Sequence, residues 1–152
     1  MNKRIVYITT SPSQTKKLGG LLAKAILENR PGRRGRVLAL AGDLGAGKTN
    51  FIQRFAKGLG LKGAINSPTF VILKKYPLER CGGFKTFYHI DCYRLTSGTD
   101  LAQMGVAAIL RDPADIVAVE WPEIVKDVLP EDILKINFKV AGANQRRIEF
   151  VS

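Results

Sequence analysis

Cysteine, histidine, tryptophan and acidic side chains are all scarce in this chain. Of its 152 residues, two are cysteine, one is histidine and one is tryptophan. Cys81 and Cys92 lack a Cys-x-x-Cys spacing, which argues against a zinc site or a disulfide framework and fits a reducing compartment. No apolar run approaches the roughly 20 residues of a membrane-spanning helix. The apolar part of the opening Met1–Ile8 stretch is too short for a secretory signal, so a cytoplasmic protein with no membrane partner is expected. Acids number 13 against 24 Lys and Arg, a formal net charge of +11. Apolar residues at 45% and charged residues at 24% are nonetheless an ordinary globular balance, which excludes disorder, collagen and coiled coil. The length suits one domain spanning residues 1–152.

The basic surplus is uneven. Residues 1–40 hold nine Lys and Arg with one acid, Glu28, whereas residues 41–152 hold fifteen and twelve. Its densest part is Arg30-Pro31-Gly32-Arg33-Arg34-Gly35-Arg36. Such a cluster suits a polyanion and equally suits a solvated surface.

Hydrophobic spacing predicts an alternation of strands and helices. Residues 4–9 are β-branched and aromatic, as a strand requires. Ser11-Pro12-Ser13-Gln14 has the residues of a capping box with proline at the first helical position, and Leu18, Leu21, Leu22, Ala25 and Ile26 follow as an apolar stripe to about Asn29. Val37–Ala41 is a continuous apolar run, expected for a strand buried on both faces. A second helix is expected from Lys48 to Leu59, with Phe51, Ile52, Phe55, Ala56 and Leu59 inward. Residues 69–76 and 84–94 read as a hairpin through Glu79–Gly83, residues 99–110 as a weak helix, and 115–120 as a buried strand stopped by Trp121-Pro122. Alternation at Leu134–Val140 and at Ile148 and Phe150 predicts a closing hairpin.

Between the strand at 37–41 and the helix at 48 lies Gly42-Asp43-Leu44-Gly45-Ala46-Gly47-Lys48-Thr49, a match to G-x-x-x-x-G-K-[ST] at every fixed position. A chance match in a chain of this length is on the order of 1 in 200 at ordinary residue frequencies. The chemistry explains the residue types. Glycines let several backbone N–H groups wrap a phosphate, and the helix that follows turns its positive end to the same point. Lys48 can reach the β- and γ-phosphates, and Thr49 can offer a hydroxyl to Mg²⁺. The Asn-Lys-x-Asp pattern of guanine-specific GTPases is absent after the loop, so ATP or ADP is the expected nucleotide.

Magnesium at such a loop needs a carboxylate from the carboxyl end of a neighbouring strand. Glu120 closes the run Ile116–Val119 and fits best, and Asp91 is the other candidate. Alternation in Tyr88–Tyr93 sets His89, Asp91 and Tyr93 on one face and Tyr88, Ile90 and Cys92 on the other. That trio can order a water, bind a metal through water, or form a structural polar cluster. Either Asp91 or Glu120 can place an attacking water. Lys48, Asp91 and Glu120 are therefore the candidate catalytic residues.

The loop, together with Ser67-Pro68-Thr69-Phe70, Tyr88-His89-Ile90-Asp91-Cys92-Tyr93-Arg94-Leu95 and Glu120-Trp121-Pro122, resembles the TsaE (YjeE) family in order and spacing over nearly the whole chain. The resemblance implies a P-loop NTPase-like α/β domain of three layers, with a mixed, mostly parallel central sheet and antiparallel hairpins. It implies a weak, partner-stimulated ATPase acting with the TsaB–TsaD pair in forming the threonylcarbamoyl group on adenosine 37 of tRNA, with tRNA itself met indirectly or by weak contact. It implies that Leu44, Gly45, Ala46, Gly47, Lys48 and Thr49 hold the phosphates, and that Thr49 and Glu120 hold Mg²⁺. By the same resemblance Asp91 sits near the γ-phosphate, and Ser67 and Thr69 lie on a nucleotide-sensing loop. Pro12 and Thr15, in the segment Ser11–Thr15, together with Arg146, in the turn Asn144–Arg146, lie towards the adenine. Two other classes remain open on the residues alone. One is a small-molecule P-loop kinase, although residues 96–114 hold only Arg111 where an arginine-rich lid is usual. The other is a basic nucleic-acid-binding module, although no RNA-binding pattern is present.

Overall fold

The computed structural model describes residues 2–29, 31, 36–66 and 72–152. Seven strands form one sheet. They are β1 (Arg4–Thr9), β2 (Arg36–Ala41), β3 (Leu73–Cys81), β4 (Phe84–Asp91), β5 (Asp115–Glu120), β6 (Leu134–Val140) and β7 (Arg146–Val151), in the order β1-β7-β6-β2-β5-β4-β3. The four central strands β6, β2, β5 and β4 run parallel, while β3 pairs antiparallel with β4, and β7 antiparallel with β6 and β1. The sheet is mixed, as expected, but only partly parallel: three of its six strand pairings are parallel and the outer three antiparallel. Because β2, β5 and β4 are parallel neighbours, their carboxyl ends open on one edge, where Leu40 lies beside Glu120 and Glu120 beside Asp91. Two-sided burial explains their composition: all six residues of β5 are buried.

Helices α1 (Pro12–Glu28) and α2 (Lys48–Gly58) cover one face, over Leu38, Leu40, Phe87, Ile116, Ala118, Ile136 and Phe138. Short helices α3 (Gly98–Ala102) and α4 (Val106–Arg111) cover the other, over Val37, Tyr88, Ile90, Val117 and Val119. These are the three expected layers. Among the described residues no helix is long and apolar enough to cross a membrane.

Four expectations are corrected in detail. The buried ridge of α1 is Thr15, Gly19, Ala23 and Ile26, whereas Leu21 is 53% exposed and Ala25 lies outside the core. Small residues win this face because α2 comes very close: a Cβ on Gly19 would stand 2.3 Å from the Phe51 carbonyl oxygen. The weak helix at 99–110 is two helices, since Gly105 adopts φ 76°, a left-handed conformation that ends one and starts the other. The first hairpin turns at Gly82-Gly83, so β3 runs on to Cys81, and β4 stops at Asp91 instead of reaching Arg94. Tyr93 thus lies past the strand, and alternation holds only for His89 and Asp91. The expected strand start at residues 69–71, the Ser67–Phe70 motif and most of the arginine cluster lie outside the described residues.

The start of α1 is closed by side chains. Ser11 Oγ accepts from the Gln14 amide at 3.2 Å, and Gln14 Oε1 accepts from the Thr10 amide at 2.7 Å. This is the capping box with its return bond one residue early. Part of the basic surplus is also neutralised locally, because Glu149 on β7 pairs with Arg4 and with Arg147.

Candidate functional site

The loop at residues 42–47 leaves β2 and enters α2, and its backbone needs glycine where it turns hardest. Gly42 has φ 145°, and a Cβ there would stand 2.5 Å from the Phe138 carbonyl oxygen. Gly47, at φ 105°, is the residue before the first turn of α2, and no side chain caps that helix start. The contrast with α1 matters. One helix N-terminus is satisfied by Ser11 and the other presents free N–H groups and its positive end to an open site.

Around this opening the structure gathers the candidate residues. A cavity of about 440 Å³ is lined by Asp43, Leu44, Gly45, Gly47, Lys48, Thr49 and Asn50 from the loop and α2, and by Asp91, Tyr93, Glu120 and Trp121 from the ends of β4 and β5. Ala46 is buried beneath it, whereas Leu44 is 76% exposed. A smaller cavity, lined by Ser11, Pro12, Thr15, Asn144 and Arg146, shares Gly45, Gly47 and Asn50 with the first. Pro12, Thr15 and Arg146 are thus drawn to the loop from opposite ends of the chain. The Thr15 hydroxyl is bonded to that of Thr9 at 2.9 Å, and its methyl group faces Gly47. It serves this cavity as a wall.

Lys48 is buried and points back over its own loop. Its ammonium donates to the Gly42 carbonyl and sits 4.1 Å from the centroid of the Trp121 ring, a cation–π contact. Burial pushes its pKa down, against the opposing pull of Glu120, Glu123, Asp91 and Asp43. Trp121 has φ 57° and ψ 50°, and it is the non-glycine residue with positive φ among the described residues. That conformation costs on the order of 1–2 kcal/mol for a bulky side chain, and Tyr93 packs against the indole at 5.4 Å between centroids. The chain signals only that Trp121 precedes a proline; its strained turn over the lysine could not be read from it.

The two carboxylates are held differently. His89 Nε2 lies 2.9 Å from Glu120 Oε2, both side chains being buried. Asp91 Oδ1 accepts from the Tyr93 amide at 3.0 Å. A carboxylate pair beside a hydroxyl-bearing helix start is a hard-oxygen donor set, suited to magnesium. Lys48, the loop amides and the uncapped start of α2 together suit a chain of phosphates.

Comparisons with known proteins identify the family. The family model described as Threonylcarbamoyl adenosine biosynthesis protein TsaE matches residues 9–148. The chain is 35% identical over 150 residues to the tRNA threonylcarbamoyladenosine biosynthesis protein TsaE of Bacillus subtilis, covering 99% of this chain and 87% of that one. It is 33% identical over 141 residues to the protein of the same name from Treponema pallidum, covering 93% and 96%. The crystal structure of Bacillus subtilis YdiB superposes with a TM-score of 0.72 at 33% identity, over 100% of this chain and 87% of that one. With the loop, the paired acids and the Glu-Trp-Pro turn assembled on one sheet edge, the chain belongs to the TsaE family of tRNA threonylcarbamoyladenosine biosynthesis.

Proposed function

We propose that this chain is a magnesium-dependent ATPase that works with TsaB and TsaD when they place the threonylcarbamoyl group on adenosine 37 of tRNA. The observation that carries the reading is the convergence of Lys48, Thr49, Asp91 and Glu120 on one cavity at the uncapped start of α2. On this reading the amides of residues 44–49 and the Lys48 ammonium hold the β- and γ-phosphates. To do so, Lys48 gives up its contacts with the Gly42 carbonyl and the Trp121 face. The Thr49 hydroxyl and the Glu120 carboxylate would hold Mg²⁺, which supplies positive charge against the phosphoryl oxygens. His89 fixes the Glu120 carboxylate from behind, as partners of metal-ligating groups do. Asp91, held through the Tyr93 amide, is left to orient a water at the γ-phosphate. Pro12 and Thr15 form the wall on the adenosine side, in the cavity that Arg146 also borders.

The experiment is steady-state ATP turnover by the purified chain, alone and with TsaB and TsaD. Slow turnover alone that rises severalfold with the pair supports the reading. Turnover unaffected by the pair, or stimulated instead by small phosphate-accepting metabolites, contradicts it.

A further inference from the structure

Arg146, expected beside the adenosine, makes its hydrogen bonds to protein backbone. Its Nη1 donates to the carbonyl oxygens of Gly142 at 3.3 Å and Gln145 at 2.9 Å, both in the turn between β6 and β7. Its Nη2 donates across 101 positions of sequence to the Gly45 carbonyl oxygen at 3.1 Å. The guanidinium fork thus joins the closing hairpin to the phosphate loop.

The receiving carbonyl belongs to the peptide unit between Gly45 and Ala46. The other end of that unit, the Ala46 N–H, donates to the Asp43 carbonyl at 3.1 Å. Because the peptide is planar, the two bonds pin one plane at both ends, one from inside the loop and one from β7. The pin has something to hold. Gly45 has φ 78°, and nothing lies within 4 Å of where its Cβ would be, so no side-chain packing at this residue holds the turn. A loop kept in one shape spares the other backbone N–H groups from reordering when an anion arrives.

We propose that Arg146 is a positioning residue that locks the shape of the phosphate loop by holding its Gly45–Ala46 peptide from β7, acting through the loop and not on the adenosine. The proposal rests on the phosphate-binding reading of the loop, and it places the β6–β7 turn in mechanical contact with that loop. An arginine is required because one side chain must serve carbonyls on two separate segments, which a lysine ammonium cannot span with the same fixed geometry.

The test uses the full chain and two variants, Arg146→Gln and Arg146→Lys, with calorimetric titration of Mg·ATP and of inorganic tripolyphosphate, which has no base. Both variants are expected to lose affinity for both ligands by a similar factor, roughly tenfold. In the ligand-free variants the Ala46 amide, followed by NMR hydrogen exchange, should exchange faster than in the parent. Loss of ATP affinity with tripolyphosphate binding intact would assign Arg146 to the adenosine and overturn the proposal. Full tripolyphosphate affinity in Arg146→Lys would reduce its role to charge and overturn it too. The exchange measurement keeps the two readings separate. If the parent protein bound neither ligand, the proposed function would fail, while an unchanged Ala46 exchange rate would independently remove the lock.

Discussion

His89 Nε2 and Glu120 Oε2 lie 2.9 Å apart on adjacent parallel strands, both side chains buried. His89 is the sole histidine, and its Nδ1 has no hydrogen-bond partner among the described residues. The imidazole therefore spends its described polar contact on aiming one carboxylate. His89→Ala should lower Mg-dependent ATP turnover roughly 10- to 100-fold, with the magnesium requirement shifted upward. His89→Gln, which restores a donor near the carboxylate, should recover part of the loss. Turnover measured across magnesium concentrations checks both, and an unshifted requirement in His89→Ala would remove the aiming role.

The contact between Lys48 and Trp121 supplies an optical signal. Trp121 is the chain's one tryptophan, so intrinsic emission reports its environment alone. Adding Mg·ATP should produce a saturable change in emission as Lys48 turns towards the phosphates. In Lys48→Ala the ligand-free emission should already differ from the parent, and the nucleotide response should be lost.

The closest helix packing makes a stability prediction. Gly19→Ala would set a methyl group 2.3 Å from the Phe51 carbonyl oxygen, with backbone on both sides of the clash. A loss of about 2 kcal/mol is expected, lowering Tm by roughly 4–8 °C for a chain of this size. Gly45→Ala meets no such neighbour, so any effect there reflects its positive φ instead. Thermal melts of the two variants separate crowding from backbone strain.

Cys92 is fully buried, and burial foremost, aided by the charges of Asp91, Glu120 and Glu123, pushes its thiol up to about 12 from 9.0. At pH 8 the native thiol should resist iodoacetamide, and in a Cys81→Ser background alkylation should follow unfolding. The linkage has a definite sign. A raised thiol pKa contributes stability below 9.0, and that contribution is lost as pH rises from 9.0 towards 12, because the unfolded thiol ionises first. Urea melts in that window should show this component of the decline missing in Cys92→Ala.

Local chemistry made the glycine-rich loop legible in the chain: its glycines, Lys48 and Thr49 fall within eight residues, and a buried strand and an amphipathic helix flank them. The alternation that carries His89 and Asp91 to the α2 side of the sheet is equally local, and β4 and β5 formed where apolar runs predicted them. What could not be read depends on partners distant in sequence. Of the α1 stripe, Leu18, Leu22 and Ile26 pack in or against the core, but Leu21 and Ala25 satisfy helical spacing and stay exposed, because the approach of α2 selects the small ridge Thr15, Gly19 and Ala23. Glu120 meets His89 only once β5 pairs in register with β4, and Arg146 meets Gly45 only once β7 closes beside β6. No periodicity encodes the left-handed turn at Trp121, which is a feature of the assembled site.

The claim on which the rest stands is that residues 42–49 bind a nucleoside triphosphate through the loop amides and Lys48. Calorimetric titration of Mg·ATP into the parent chain and into Lys48→Ala tests it most directly. One saturable site per chain, weakened at least roughly tenfold by removal of the lysine, is the expected result. No binding by the parent, or equal affinity in the two proteins, would contradict it.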